Sequence, residues 1–372
     1  MSQSPGLFLT ILAFALVIGP LIFLHELGHY LAGRWFGVKI DAFSIGFGKE
    51  VFGWTDKSGT RWKFSALPLG GYVKFAGDLN PASVPDPAWL ELPPEERARS
   101  LQARPVWQRA IVVAAGPVMN FIIAIVILAG FAMAYGEPSG PAVAGAIIPG
   151  SAAASAKLQP GDRIVAFDGQ PVASFNDMVS YVAPRPDKDV RVAFVRDGAQ
   201  QSVTLRSGSQ TLTDVKGKPV RFGMIGIRRP TVGLLEAPIV GIRRTGEIVV
   251  LMVDGLGQII TGSQPVSQLA GPLRIAQVSG QQMEQGPSAM LGLIAFFSIN
   301  LGFINLLPVP LLDGGHLFFY AIEAIRRRPV PPHVQEWAFR GGLAAILALM
   351  VTVTFNDLGA FGLWTTLRGL IG

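Results

Sequence analysis

The residues best equipped for chemistry are His25, Glu26 and His29, in the run His25-Glu26-Leu27-Gly28-His29. On a helix, positions four apart share a face one turn apart, so the two imidazoles can meet on one ion. Two neutral imidazoles make half of a tetrahedral zinc site, and the carboxylate between them can serve as general base. The motif lies near the end of an apolar run from Leu7 to Leu31, long enough to cross a bilayer at about 1.5 Å per residue. Ionisable groups are costly at that depth, so their presence points to function more than to a chance match or a structural pair. The expected chemistry is membrane-embedded metallohydrolysis.

A catalytic zinc needs a third protein ligand, with water in the fourth position. Asp313 is the candidate, in Asn305-Leu306-Leu307-Pro308-Val309-Pro310-Leu311-Leu312-Asp313-Gly314-Gly315-His316. The Pro-x-Pro and the paired glycines let the backbone leave helical geometry there and turn a carboxylate inward. The alternatives are a plain surface turn, or His316 as the ligand. The chain has no cysteine, so thiolate ligands and disulfides are excluded and any zinc must sit on His and carboxylate. Glu26 would take a proton from water and pass it to the leaving amine. Asn305 could hydrogen-bond substrate backbone or a developing oxyanion. A peptide bond inside a helix is shielded, so the substrate must unwind, and an edge strand in Gly70-Gly71-Tyr72-Val73-Lys74 could hold it extended.

Positioning those groups requires membrane helices. Of 372 residues half are hydrophobic and 15% charged, with mean hydropathy +0.42, the composition of a polytopic membrane protein. A net charge of +6 is no sign of nucleic-acid binding when the basic residues flank apolar spans. No Lys or Arg precedes the first apolar run, which carries His and Glu where a signal peptide would be plain, so a retained first span is expected.

Four spans are expected: about 7–31, 110–135, 289–307 and 339–355. Between the first two, short Gly-bounded alternating pieces over about 40–76 predict a β-hairpin element, either membrane-associated or a small soluble subdomain. Asn80 to Glu96 reads as a Pro-rich acidic loop leading to a short helix. Gly116-Pro117-Val118-Met119-Asn120, inside the second span, is either a close helix contact with a polar partner or an ordinary kink. Residues 136–229 alternate short strands with Pro-Gly and Asp-Gly turns, a β-rich soluble module of about 90 residues inserted between membrane parts 1–135 and 230–372. Ile239–Ile260 and Val266–Gln281 have the spacing of amphipathic helices, and the tail Leu358–Ile371 that of an interfacial one. Basic flanks fall in the first and third connections, including Arg34, Lys39, Arg109 and Arg326 to Arg328. The positive-inside rule then puts both ends of the chain and the soluble module outside the cytoplasm.

With these motifs in view, the chain closely resembles the site-2 protease family, in particular its bacterial regulator-of-sigma-E branch. His25-Glu26-Leu27-Gly28-His29 and Asn305 to Gly315 carry the likeness, supported by Gly46-Phe47-Gly48, Pro68 to Lys74 and Gly116 to Asn120. The resemblance implies zinc on His25, His29 and Asp313, Glu26 as the catalytic group, and Asn305 engaging substrate. It implies a membrane-associated β element near Gly70–Lys74 and a PDZ domain in the periplasm, with Leu158 to Gly169 and Gly223 to Ile227 as PDZ pieces. Substrates would be single-span proteins of the bacterial inner membrane, notably anti-sigma factors and also signal-peptide remnants, already cut on the outer side by a site-1-type protease. Branch members with two tandem PDZ modules differ from this chain, where one fits; that module either binds peptide ends or restricts access. Two rival classes remain: an inactive membrane scaffold binding clients through the module, and a metal transporter. Against the transporter, the charged residues gather at one depth instead of along a path.

Overall fold

The structure, a computed structural model, describes residues 6–78, 93–137, 140–213, 219–265 and 271–360. Internal packing divides the chain into two compact units, Pro5–Ile125 with Thr245–Gly372, and Val126–Arg244. The division falls inside two helices, where the sequence suggested boundaries at their ends.

The first unit begins with α1, Leu7–Trp35. Its buried residues Ala13, Val17, Leu21, His25, Gly28, His29 and Ala32 recur every three or four positions, so one stripe both packs the helix and carries the histidines. Strands β1 (Ile40–Thr55) and β2 (Arg61–Phe75) follow. The hairpin folds over itself: Ala42 to Ile45 pairs with Arg61 to Phe64 on one side and with Gly71 to Lys74 on the other. Bulges between these registers bend the ladder, as two-against-one residue counts must. At the hairpin turn, Asp56 accepts hydrogen bonds from the Ser58 and Thr60 N–H groups and from Trp62 Nε1. Val38, Ile40, Phe43, Val73 and Phe75 form a core with Ala32, Leu101 and Val112, fixing the hairpin against α1.

Helix α2 is the single turn Pro94–Arg97, and α3 is Val106–Tyr135, four residues longer at its start than its apolar run suggests. The loop expected over Asn80 to Glu96 lies mostly outside the described residues. In the second unit, β3 (Ala146–Ile147), α4 (Ala152–Ser155), β4 (Arg163–Phe167), β5 (Gln170–Pro171) and α5 (Phe175–Val182) are followed by β6 (Asp189–Arg196) and β7 (Ala199–Arg206). Then come β8 (Gly208–Thr213), β9 (Pro219–Met224) and β10 (Ile227–Arg228). The main sheet runs β5-β4-β6-β7, antiparallel throughout; β8 pairs with β9, and β10 with β3. Its core joins Phe167, Val190, Val192 and Phe194 from the sheet to Phe175, Met178 and Val182 from α5. Ser174 and Asp177 form a reciprocal capping box at the start of α5. This is the inserted β-rich module.

Helix α6, Ala237–Ile260, leads back to the first unit. There α7 (Pro272–Glu284), α8 (Pro287–Leu306), α9 (Asp313–Arg326) and α10 (Pro332–Ala360) complete the fold. The expected helix from Val266 begins at Pro272, residues 266–270 and the tail from 361 lying outside the described residues. Helix α7 packs against α1, α8 and α10. Asp357 on α10, only 2% exposed, accepts from the Gly271 and Arg274 N–H groups and so caps α7. Helix α9 was not anticipated. Its face His316, Phe319, Tyr320, Glu323 has helical spacing, but the prolines and glycines before it hid the signal. Among the described residues four helices are long and apolar enough to cross a membrane: Leu7–Trp35, Val106–Tyr135, Pro287–Leu306 and the His333–Gly359 part of α10. The chain is a polytopic helical membrane protein with an inserted β domain.

Candidate active site

Helix α1 presents His25 and His29 toward α3, and both are 7% exposed. Their rings meet edge to face with centroids 4.9 Å apart and Nε2 atoms 3.3 Å apart. Close approach of the two helices depends on missing side chains. A Cβ at Gly116 of α3 would collide with the His29 imidazole, and one at Gly28 of α1 with the Ala115 carbonyl. The glycine that looked like a contact point therefore seats a ring. His29 Nδ1 donates to the Val112 carbonyl at 2.9 Å, which leaves Nε2 as a lone pair. The His25 Nδ1 lies 3.0 Å from Asn120 Nδ2, and Asn120 is fully buried. The Asn120 backbone carbonyl accepts from Ser298 Oγ at 2.7 Å, tying α3 to α8.

Asp313, the first residue of α9, arrives from the far side after the loop Leu307 to Leu312. Leu311 bends that loop with φ 82°. A side chain at Gly314 would strike the Leu306 and Leu307 carbonyls, so the glycine after Asp313 lets α9 start this close to the end of α8. The Asp313 oxygens lie 3.2 Å from His25 Nε2 and 3.5 Å from His29 Nε2, across nearly 290 positions of sequence. Farther along α9, Glu323 takes a two-point ion pair from Arg109 of α3 at 2.5 and 3.1 Å. The Arg109 guanidinium also sits 4.9 Å from the centre of the Tyr320 ring. Nothing local in sequence announces this clamp. It holds the carboxylate-bearing helix to the helix on which both histidines rest.

One ligand atom from each of His25, His29 and Asp313 falls within 4.8 Å of the others, so these three could hold a metal ion. The donor chemistry fits zinc: two imidazole nitrogens, one carboxylate and no thiolate. Asp313 Oδ2, although 3.2 Å from His25 Nε2, has no hydrogen-bond partner in alignment. A buried acceptor left open beside two imidazoles is the state expected of a metal ligand rather than of a group serving the fold.

A cavity of about 460 Å³ opens on this cluster. It is lined by Glu26, Asn305, Gly70, Gly71 and Tyr72 as well as by the three candidate ligands, so every site residue singled out from sequence reaches one space. Glu26 is packed beside Gly71, where a Cβ would lie 3.0 Å from its Cγ, and the Val73 backbone N–H faces its carboxylate. The segment Gly71 to Phe75 pairs with β1 on one side, and among the described residues no strand pairs with its other edge. His316 is buried at the rim of the cavity against Phe339, with centroids 5.1 Å apart, and stands outside the three-residue cluster.

The chain matches the pattern of peptidase family M50 over residues 13–349. A protein of Rhizobium meliloti named as a zinc metalloprotease is 45% identical over 359 residues, which cover 94% of this chain and 96% of that one. One of Agrobacterium fabrum with the same description is 46% identical over 94% and 96% of the two chains, and metalloprotease MmpA of Caulobacter vibrioides 35% identical over 98% and 99%. Among solved structures, the PDZ domain of an SdrC-like protein of Listeria monocytogenes is 22% identical with a TM-score of 0.18, covering 24% of this chain and 87% of that one. The family match begins within α1, takes in both histidines, and runs past Asp313 into α10, so it spans the whole scaffold that gathers the site. The chain belongs to peptidase family M50, the site-2 type of zinc metalloprotease.

Proposed function

We propose that the chain is an intramembrane zinc endopeptidase that cuts single-span membrane proteins, with zinc on His25, His29 and Asp313 and Glu26 as general base and acid. The observation that carries this reading is the convergence of those three ligand groups beside Glu26, in one cavity among membrane-crossing helices. An ion held by His25, His29 and Asp313 would supply Lewis-acid chemistry that makes water acidic enough to attack near neutral pH. Glu26 takes the proton from water and returns it to the amine as the peptide bond breaks. Asn305, which lines the same cavity, hydrogen-bonds the substrate carbonyl. Gly70, Gly71 and Tyr72 lie at the head of the unpaired edge, which accepts an unwound substrate as an added strand.

By charge asymmetry the inserted module faces the periplasm of a bacterial inner membrane. There it acts as a PDZ domain that restricts access to substrates already shortened by a site-1-type protease. This is the role of the regulator-of-sigma-E branch, with anti-sigma factors as clients. Cleavage of single-span proteins in detergent by the parent, by Glu26→Gln and by chelator-treated protein tests the reading. The parent alone should produce fragments. Uncut substrate with the parent, or equal cutting by Glu26→Gln, sinks it in favour of a scaffold.

A further inference from the structure

We propose that Asn120 is a positioning residue, an amide whose oxygen accepts the His25 Nδ1–H and so keeps His25 Nε2 free as a ligand lone pair. The inference rests on the zinc site read above. Positions 112, 116 and 120 of α3 are four apart and form one stripe along the helix. That stripe meets His29 and His25 in antiparallel order. The Val112 carbonyl takes the His29 Nδ1–H, Gly116 makes room for the ring, and Asn120 faces His25 Nδ1. Val112 thus fixes the tautomer of one imidazole through its backbone, and among the described residues the other imidazole has Asn120 for the same task.

As oriented, the amide presents Nδ2 to His25 Nδ1 at 3.0 Å, while its Oδ1 is buried without a hydrogen-bond partner. In that orientation His25 Nδ1 accepts and the proton sits on Nε2, the atom that lies 3.2 Å from Asp313 Oδ2 and that a metal would need bare. The two ends of an amide occupy interchangeable places. Turning it over lets the stranded oxygen accept Nδ1–H and frees Nε2. A fully buried acceptor at a ligand's second nitrogen is the arrangement by which outer groups orient metal-binding histidines. With the oxygen toward Nδ1, Asn120 satisfies its own buried acceptor and leaves His25 Nε2 the lone pair that a ligand needs.

Zinc affinity of the purified full chain in detergent, measured by competition with a fluorescent chelator, tests this. Asn120→Leu should bind Zn²⁺ about 10–100-fold more weakly. Asn120→Asp, which can only accept, should stay within a few fold of the parent. Ser298→Ala, which removes the other tie to Asn120, should not change affinity. With four histidines in the chain, imidazole ¹⁵N spectra can also be read residue by residue. Parent and Asn120→Asp should show His25 protonated on Nδ1 when zinc is bound, and Asn120→Leu should not. Parent-like affinity in Asn120→Leu, or an Asp variant as weak as the Leu one, overturns the positioning role. Parent-like affinity in His25→Ala overturns the zinc site itself and the proposal with it, so the two failures are distinct.

Discussion

Asp162 and Asp313 are both carboxylates beside glycine at the start of an element or just before one, one in the inserted module and one in the membrane unit, and the chain treats them oppositely. Asp162 has a side chain 1% exposed and both oxygens occupied. Arg196 donates to them at 2.7 and 2.6 Å, and the Gln159 N–H adds a third bond at 2.8 Å. Burial alone would raise its pKa, but the Arg196 and Gln159 hydrogen bonds prevail and hold the carboxyl below its ordinary range. Asp313, by contrast, faces two imidazoles with Oδ2 lacking an aligned donor. A satisfied buried carboxylate serves the fold, and one left open beside two imidazoles is free to take an ion, as proposed for Asp313.

Asp313→Ala should give the largest effect. Zinc should fall from about one ion per chain to none and peptidase turnover should vanish, since two imidazoles do not make a site. Stripped of zinc, the variant should melt within about 2 °C of the stripped parent, because little of the fold depends on this carboxylate. A stripped variant that melts far lower would erase the contrast with Asp162. Next comes the clamp on α9. Arg109→Met leaves the half-buried Glu323 without its partner and should cost about 2 kcal/mol in chemical unfolding, with weaker zinc binding as Asp313 loosens. Adding Glu323→Leu should recover most of the loss, and a double variant no better than the single would show that the pair is not what holds α9.

Asp162→Asn should cost about 2 kcal/mol, read as faster hydrogen exchange in β4 and β6, with zinc content unchanged. Its sign with pH follows from the lowered pKa. Asp162 contributes stability above pH ~4, the ordinary carboxyl value, and that share is lost as pH falls toward the folded value. The parent module should weaken over that acid range and the Asn variant should respond less. Asp357→Asn should be smallest, about 1 kcal/mol, seen as faster exchange at the Gly271 to Ile275 amides that begin α7.

What could be foreseen divides along the same line. The spans, the hairpin and the presence of a β-rich insert were legible because apolar runs and Gly-Pro punctuation are local signals. His25, Glu26 and His29 were legible through helical spacing, and Asp313 through the turn chemistry around it. The support of the site was not. Val112 acts through a carbonyl, which no residue type reveals, and the Arg109–Glu323 pair joins positions 214 apart. Helix α9 was missed because its prolines and glycines read as loop, although they are what start it at Asp313.

A strand edge bonds any main chain that can lie flat along it, and it reads few side chains. On the proposed reading, the rim of Gly71 to Phe75 beside Glu26, unpaired among the described residues, would sort clients by how cheaply their helices come apart. A glycine lowers helix stability by about 1 kcal/mol and a proline by about 3 kcal/mol relative to alanine, differences of roughly five-fold and more than a hundred-fold in the population of melted segment. Two transmembrane clients with the same residues at the scissile bond would then be cut at different rates, set by a helix breaker one or two turns away. Vulnerability would be a property of the client's fold, inherited by any sequence that frays at that depth.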